Sequence, residues 1–551
     1  MIHASEVLGK SIKQNGVDTM FFLMGGPMLA AEAACVAENI RCIDVRHEQA
    51  AAMMAHGYAR VCGRPGVCMA ASGPGTLNLG TGLATSLMDC TAVVAFGGSS
   101  PLKEWGNGAF QEFDQLAAMR PLVKWAERVY EAQRIPEFVD RAFKIATSGR
   151  PGPVYLDLPG DLLYQQVDEK AIPWPEFNRG TEIGRASGDA AMLERAIRTL
   201  AAAKHPIVLS GNGATWSGAG TALQVFIEQT GIPFYTTPQG RGVIPEDHQY
   251  CYLGARNLAF KEADVVLIVG TRMNYIIDHI RTPRFNQQAK FIRIDIDPTD
   301  LALTPRLDVG LAGDAKAVLG QLQQLNDGRI QPHLFDAWRQ QLAMADKQRN
   351  QAQEVRLNTD QIPIHPLRLC KEVRDYMERE TILIVDGQEI LNFGRQTIPS
   401  YRPGHRINSG TFGTMGVGLP YALGAQAASP ASQVICLHGD GSFGINAMEL
   451  DTAVRHRLPV ITVISLNGGW TGTDPGEATP AGRELGFTRY DKMAEALGCH
   501  AEYVETPQEI GPALRRAGLA AKNGVPSLVN VKTEPNAKAT TAKFSKFYRA
   551  A

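Results

Sequence analysis

Short apolar runs rich in β-branched residues alternate with stretches of helical periodicity along most of the chain. This is the pattern of parallel sheets joined by crossover helices. It predicts an α/β fold of three doubly wound parallel-sheet domains. In the first third, strands are expected at Thr19–Met24, Cys42–Val45, Gly66–Ala71, Ala92–Phe96 and Val154–Leu158, and the block closes near Leu163. Met1 to Lys10 reads as amphipathic helix. The stretch from Asp168 to Asp189 is polar, contains Pro173 and Pro175 and has neither period, so it reads as a linker. A second block has strands expected at Ile207–Ser210, Val265–Val269 and Phe291–Ile296. After the mostly polar, helix-prone Gln323 to Ile364, a third block has strands at Ile382–Val385, Val434–Leu437, Val460–Ser465 and Ser527–Val531. The expected division is 1–165, 190–330 and 360–533, with a tail at 534–551.

Composition narrows the function classes. A length of 551 residues is enough for about three or four domains. Lys and Arg total 55 against 56 Asp and Glu, which leaves no electrostatic footprint for nucleic acid or a membrane surface. Any polyanion it binds is small and locally held. The nine cysteines stand singly, with no CxxC spacing, and fit a reducing cytoplasm. No signal-peptide pattern and no apolar run of roughly 18 residues occurs, so secretion and membrane spanning are not expected.

The most informative segment is Val434 to Gly469. An apolar strand ends in Gly439-Asp440-Gly441-Ser442, a helical pattern runs from Asn446 to His456, and a second strand ends in Asn467-Gly468-Gly469. In a parallel sheet both ends lie on the carboxyl edge, where ligands of open α/β sheets bind, so Asp440 and Asn467 can converge. A carboxylate, an amide oxygen and the Gly469 carbonyl are the hard oxygen ligands Mg²⁺ prefers. Taken alone, the Gly-Asp-Gly turn could equally be an ordinary strand-to-helix turn capped by Asp440. A second segment, Arg46-His47-Glu48-Gln49-Ala50-Ala51, carries an apolar strand into an Ala-rich helix, and Glu48 there could simply complement the helix dipole.

These residues resemble the thiamine diphosphate enzymes of the decarboxylase-like superfamily. Their Gly-Asp-Gly, spacer and Asn-Asn motif matches Gly439-Asp440-Gly441 and Asn467, with Leu466 where the first Asn usually stands. The resemblance implies thiamine diphosphate and Mg²⁺ as cofactors, Asp440, Asn467 and the Gly469 carbonyl as metal ligands, and Glu48 as the carboxyl that activates the aminopyrimidine ring. It implies Met415, in Gly413-Thr414-Met415, as the apolar wedge that folds the cofactor, with the Gly413 carbonyl receiving the amino group. Gly387, Gln388 and Glu389 match the diphosphate turn, Ser72 and Asn78 the pyrimidine-side loop with Gly25 beside it, while Gly441, Ser442, Trp470 and Thr471 complete the cofactor set. The three blocks become a pyrimidine-binding domain, a central nucleotide-binding-like domain and a diphosphate- and Mg-binding domain. A homo-oligomer follows, a dimer at least and a tetramer by preference, because Glu48 and Asp440 meet across subunits in this family.

Gly97-Gly98-Ser99-Ser100, Ala109-Phe110-Gln111-Glu112-Phe113 and Ser148-Gly149-Arg150-Pro151 look most like the 2-hydroxyacyl-CoA lyase branch. The expected reaction cleaves, or in reverse forms, a 2-hydroxyacyl-CoA, giving formyl-CoA and an aldehyde or ketone. Gln111 would hold the reacting oxygen, and His47 is a candidate proton carrier. By the same likeness Arg150 and Arg272 would meet the phosphates of ADP in the central domain and Asp295 its ribose; the alternative is a vestigial domain whose charges pair on the surface. Acetolactate synthase-like and oxalyl-CoA decarboxylase-like activities remain alternatives, as does a nucleotide-binding sensor that has lost catalysis. No adjacent His pair of the pyruvate decarboxylase type is present. The basic, aromatic tail with Lys543, Phe544, Lys546, Phe547, Tyr548 and Arg549 reads either as a solubilising end or as a lid whose cations meet CoA phosphates.

Overall fold

The computed structural model describes residues 1–176, 184–470 and 478–539. Its centre is three all-parallel sheets of six, five and six strands. The first runs, edge to edge, Arg41–Asp44, Thr19–Leu23, Gly66–Ala70, Val93–Ser99, Val154–Pro159 and Trp125–Arg128. The second orders Phe234–Thr236, Pro206–Ser210, Val265–Val269, Lys290–Asp295 and Leu307–Ala312. The third orders Arg406–Asn408, Ile382–Asp386, Val434–Gly439, Ile461–Leu466, Ser527–Lys532 and His500–Val504. Helices cover these sheets, which bury their strands on both faces and explain the unbroken apolar runs.

Every expected strand is present within a residue or two, apart from Ala92–Phe96, which runs three residues further. The strands the pattern missed are short or lie at sheet edges: Trp125–Arg128, Phe234–Thr236, Leu307–Ala312, Arg406–Asn408 and His500–Val504. Strands of three or four residues are too short for a period to stand out, and Leu307–Ala312 and His500–Val504 are largely half-buried or exposed, which breaks the apolar run. Two expectations are corrected. Ile2–His3 is not helical but pairs antiparallel with Gln166–Val167, and the first helix is Ala4–Gln14. The helix expected over Asn446 to His456 starts at Glu449, behind a separate helix Asp440–Ile445. A 22-residue helix, Asp336–Leu357, fills the polar stretch before the third block.

The first and third sheets are joined through helices Glu48–Cys62 and Gly418–Ala428, which cross in backbone contact. A Cβ on Gly57 would lie 2.4 Å from the Tyr421 carbonyl oxygen, and one on Gly424 would lie 2.0 Å from that of Met54. Only glycine permits this approach. One apolar core, including Met53, Met54, Tyr421 and Leu466, therefore continues from the first sheet into the third. All nine cysteines are free. Among the described residues no helix is long and apolar enough to cross a membrane.

Candidate functional site

Asp440 stands at the end of strand Val434–Gly439 and opens helix Asp440–Ile445, so its carboxylate lies on the carboxyl edge. It is buried. Its Oδ2 accepts the N–H groups of Gly468 (2.8 Å) and Gly469 (3.1 Å), and its Oδ1 accepts that of Gly441 (2.9 Å). Burial pushes its pKa up to about 6, while these three N–H groups pull the other way. The loop after strand Ile461–Leu466 is thus tied to the Gly-Asp-Gly turn by one side chain. Gly468 has φ +75°, which a side chain would strain.

Asn467 supplies the test for a cation. Its amide oxygen lies 2.8 Å from Asp440 Oδ1 and 2.8 Å from the Gly469 carbonyl oxygen. Three oxygens facing one another repel unless a cation lies between them or the amide turns over to donate. Ligands of Mg²⁺ at about 2.0–2.1 Å in an octahedron are about 2.9 Å apart along each edge. The donor types and these two spacings fit Mg²⁺, and with the amide turned over the same two distances are hydrogen bonds from Asn467 to both oxygens. Among the described residues no group of three or more His, Cys, Asp and Glu could hold a metal, so this mixed oxygen set is the metal candidate. The Trp470 ring covers Gly441, where a Cβ would sit 2.6 Å from it. Ser442 donates its hydroxyl to the Gly439 carbonyl (2.9 Å) and fixes the turn. Thr471 lies outside the described residues.

The neighbouring strand end carries Gly387, at φ +123°, whose added Cβ would lie 3.0 Å from the Gly439 N–H. Gln388 and Glu389 follow as the start of helix Glu389–Thr397. Glu389 accepts the N–H of Ala539 at 2.9 Å, which brings the end of the described chain against this turn. Gly413, at φ +73° with open space beside it, and half-buried Met415 lie in the loop before helix Gly418–Ala428.

The first sheet presents a second group on its own carboxyl edge. Glu48 is the first residue of helix Glu48–Cys62 and is buried. Its Oε2 accepts from Asn78 Nδ2 at 3.0 Å, and its Oε1 would be 3.2 Å from a Cβ on Gly75. The Ser72 hydroxyl donates to Gln111 Oε1 at 2.6 Å, and Gln111 has φ +58°. A Cβ on Gly25 would lie 2.6 Å from that of Ala71. His47 caps the helix, its Nδ1 accepting the Gln49 N–H at 3.1 Å, which commits one ring nitrogen. Within one chain no hydrogen bond joins Glu48 or Asn78 to Asp440, Asn467 or Gly469 among the described residues.

Three family descriptions match in order: the N-terminal binding domain of thiamine pyrophosphate enzymes over residues 2–118, their central domain over 193–322 and their C-terminal binding domain over 391–531. The chain belongs to the thiamine pyrophosphate enzymes. Among curated relatives it is 33% identical to a 2-hydroxyacyl-CoA lyase of Arabidopsis thaliana, over 98% of this chain and 97% of the relative. It is 34% identical to a probable acetolactate synthase of Mycobacterium bovis, over 97% and 96%. It is 31% identical to an oxalyl-CoA decarboxylase of Escherichia coli, over 99% and 97%. As a thiamine pyrophosphate enzyme it is of the type these three names span.

Two further features lie away from the cofactor edges. A cavity of about 490 Å³ at the carboxyl edge of the central sheet brings together Arg150, Arg272 and Asp295. Arg150 pairs there with Asp297 (3.0 Å) and Asp300 (3.5 Å), Arg272 donates to the Met88 carbonyl (3.0 Å), and Asp295 pairs with Arg293 (2.6 Å). The second feature escaped the sequence. Arg241, Arg256, Arg395 and Arg406 gather where the central and third sheets meet, around Glu246. Glu246 is held by Arg241 (2.8 Å from Nε), Thr236 (3.1 Å) and the Ser400 N–H (2.8 Å). The Nε atoms of Arg256, Arg395 and Arg406, and Nη2 of Arg406, are buried without a partner. Burial and mutual repulsion push Arg256 down to about 9. These four residues are spread over 166 positions of sequence, so no local pattern could have assembled them.

Proposed function

We propose that the protein is a thiamine diphosphate- and Mg²⁺-dependent carbon–carbon lyase acting on a 2-hydroxyacyl-CoA, releasing formyl-CoA and an aldehyde or ketone, or running the reverse condensation. The single observation that carries the CoA reading is the arginine cluster. Several buried guanidinium groups around one carboxylate, with donors left unpaired, call for further acceptors, and a bound anion would supply them together with the missing negative charge. Arg395 lies six residues along the helix that begins at Glu389, so it stands about 9 Å from the cofactor turn. That is a seat for the phosphates of a thioester substrate whose acyl end lies at the cofactor. Pyruvate, the small alternative, needs no such seat.

In this reading Asp440, Asn467 and the Gly469 carbonyl hold Mg²⁺, and the Gly387 to Glu389 turn with Gly441 and Ser442 lines the diphosphate. Glu48, oriented by Asn78, holds a proton at the aminopyrimidine ring. The Gly413 carbonyl would accept a hydrogen bond from the cofactor's amino group, and Met415 would pack against the cofactor. When bound, thiamine diphosphate supplies a nucleophilic carbon that can accept the electrons of the broken bond. Gln111, positioned by Ser72, meets the substrate oxygen. The pyrimidine side is taken as 1–165, the central domain as 190–330 and the diphosphate side as 360–533. The Glu48 and Asp440 groups are completed by a second copy of the chain, as a dimer or tetramer. The central cavity takes ADP, with its phosphates toward Arg150 and Arg272 and its ribose toward Asp295. The tail from 534 would meet acyl-CoA through Lys543, Lys546 and Arg549, which lie outside the described residues, and the free cysteines suit a cytoplasmic setting.

The test is turnover of the purified protein with thiamine diphosphate and Mg²⁺ on 2-hydroxyacyl-CoA thioesters, oxalyl-CoA and pyruvate. Formyl-CoA with a carbonyl product is the expected result. Acetolactate and carbon dioxide from pyruvate alone would replace this reading with the synthase one; carbon dioxide and formyl-CoA from oxalyl-CoA alone would make it a decarboxylase.

A further inference from the structure

The central cavity and the loop that carries Met415 share a wall. Gly410 and Thr411 line the cavity, and the same loop reaches Gly413 two residues later. What holds this wall is one helix of the first domain, Gly80–Met88, and the residue that closes it, Asp89. Asp89 is buried, and its Oδ1 accepts the Thr411 N–H at 3.2 Å. Gly410, at φ +62°, packs so closely on it that an added Cβ would lie 1.8 Å from that oxygen. One turn earlier, the Thr85 hydroxyl bonds the Thr414 hydroxyl at 2.7 Å, immediately before Met415.

The other side of this helix end faces the cavity. Asp89 Oδ2 accepts from Gln239 Nε2 (3.2 Å), the Asp89 carbonyl from Asn212 Nδ2 (2.6 Å) and the Met88 carbonyl from Arg272 Nη1 (3.0 Å). Gln239, Asn212 and Arg272 all line the cavity. A phosphate can take the other N–H groups of Arg272 while Nη1 keeps the Met88 carbonyl, and an occupant packed on Gly410 and Thr411 fixes the start of the wedge loop.

We propose that the central cavity and the cofactor cleft are energetically coupled through Asp89, a positioning residue, so that filling one with ADP tightens thiamine diphosphate in the other. This rests on the nucleotide reading above. The physical cause is that both ligands need the segment from Gly410 to Met415 in one arrangement. The first to bind orders it, and the second no longer bears that ordering cost. Because linkage is reciprocal, each ligand must strengthen the other by the same factor.

The experiment is calorimetric titration of the full-length protein in Mg²⁺, with thiamine diphosphate in the absence and presence of saturating ADP, and with ADP in the absence and presence of saturating thiamine diphosphate. The expected result is one shared factor in both directions, about five- to a hundredfold. Asp89→Ala removes the acceptor for Thr411 and brings the factor to one. Asp89→Asn keeps it, because the amide oxygen still accepts from Thr411 and its nitrogen can serve Gln239 Oε1, which lacks a partner. Thr85→Val cuts the second tie to the loop, touches neither ligand and lowers the factor; it decides the matter if Asp89→Ala does not fold. ADP that binds without changing thiamine diphosphate affinity overturns the coupling and leaves the nucleotide reading standing, as does a full factor retained in Asp89→Ala or in Thr85→Val. No binding of ADP overturns both.

Discussion

The first and third sheets share one strand order, second, first, third, fourth, sixth, fifth, when the strands Thr19–Leu23 to Val154–Pro159 and Ile382–Asp386 to Ser527–Lys532 are each counted from one. Their carboxyl edges differ. One ends in a buried glutamate opening a 15-residue helix and held by an asparagine. The other ends in an aspartate tied by three backbone N–H groups, with the Asn467 amide between it and the Gly469 carbonyl. The same architecture brings ligands to the same edge in both. The residues of two or three turns decide that one edge presents a buried carboxyl and the other a set of backbone N–H groups and oxygens.

Breaking the ring side should cost the most. Glu48→Gln should lower turnover by on the order of 10³-fold while thiamine diphosphate still binds, read from kcat and from cofactor titration. Turnover close to that of the unaltered protein would remove Glu48 from the chemistry. On the metal side, Asp440→Ala should weaken Mg²⁺-dependent cofactor binding by about 10²-fold, because it removes a charged ligand and the acceptor for Gly468 and Gly469. A binding isotherm that still saturates at the original concentration would show that the three oxygens do not hold the metal.

Arg395→Ala should raise KM for acyl-CoA about tenfold with kcat little changed, since the group lies away from the reacting bond. An equal fall in kcat would place it at the reaction instead. A smaller effect is shared by the two regions and is read by pH. Burial pushes the carboxyls of Glu32 and Asp89 in the first domain and Glu449 in the third up to about 7. The folded state then binds more protons than the unfolded one between about pH 4 and 7, so stability falls as pH rises through that window and levels off above it. Thermal denaturation at pH 5, 6, 7 and 8 checks this, and Glu449→Gln should flatten part of the slope by removing one titrating group. The least effect is expected from Leu466→Asn. Leu466 is buried in the shared core, and restoring the family's Asn should lower stability by about 1–3 kcal/mol without improving cofactor binding.

Much of the cofactor edge was legible because its parts are local. Asp440 and Asn467 each sit at the end of an apolar strand, and Glu48 opens a helix four residues after the strand Arg41–Asp44. Strand, turn and helix signals lie next to the functional residue, and the parallel order carries all these ends to an edge. Glu449 was not legible. It accepts the N–H groups of Arg46 (3.0 Å) and His47 (3.2 Å), bracing the start of the Glu48 helix from another sheet. Nothing near position 449 announces a partner some four hundred residues away. His47 shows the converse, since a histidine beside a key glutamate suggests proton transfer, and the fold uses one of its nitrogens as a helix cap.

By itself the sequence determined the α/β class, the strands that form the sheet interiors and the turns that carry Asp440, Asn467 and the buried glutamate, because hydrophobic period and turn chemistry act over a few residues. Only the tertiary structure decided which distant groups share a space: the arginines around Glu246, the cavity that unites Arg150, Arg272 and Asp295, and the wall that Asp89 holds between that cavity and the Met415 loop. Those neighbours are set by how sheets dock. Docking is fixed by backbone contacts such as Gly57 on Tyr421 and Gly424 on Met54, which no local pattern encodes.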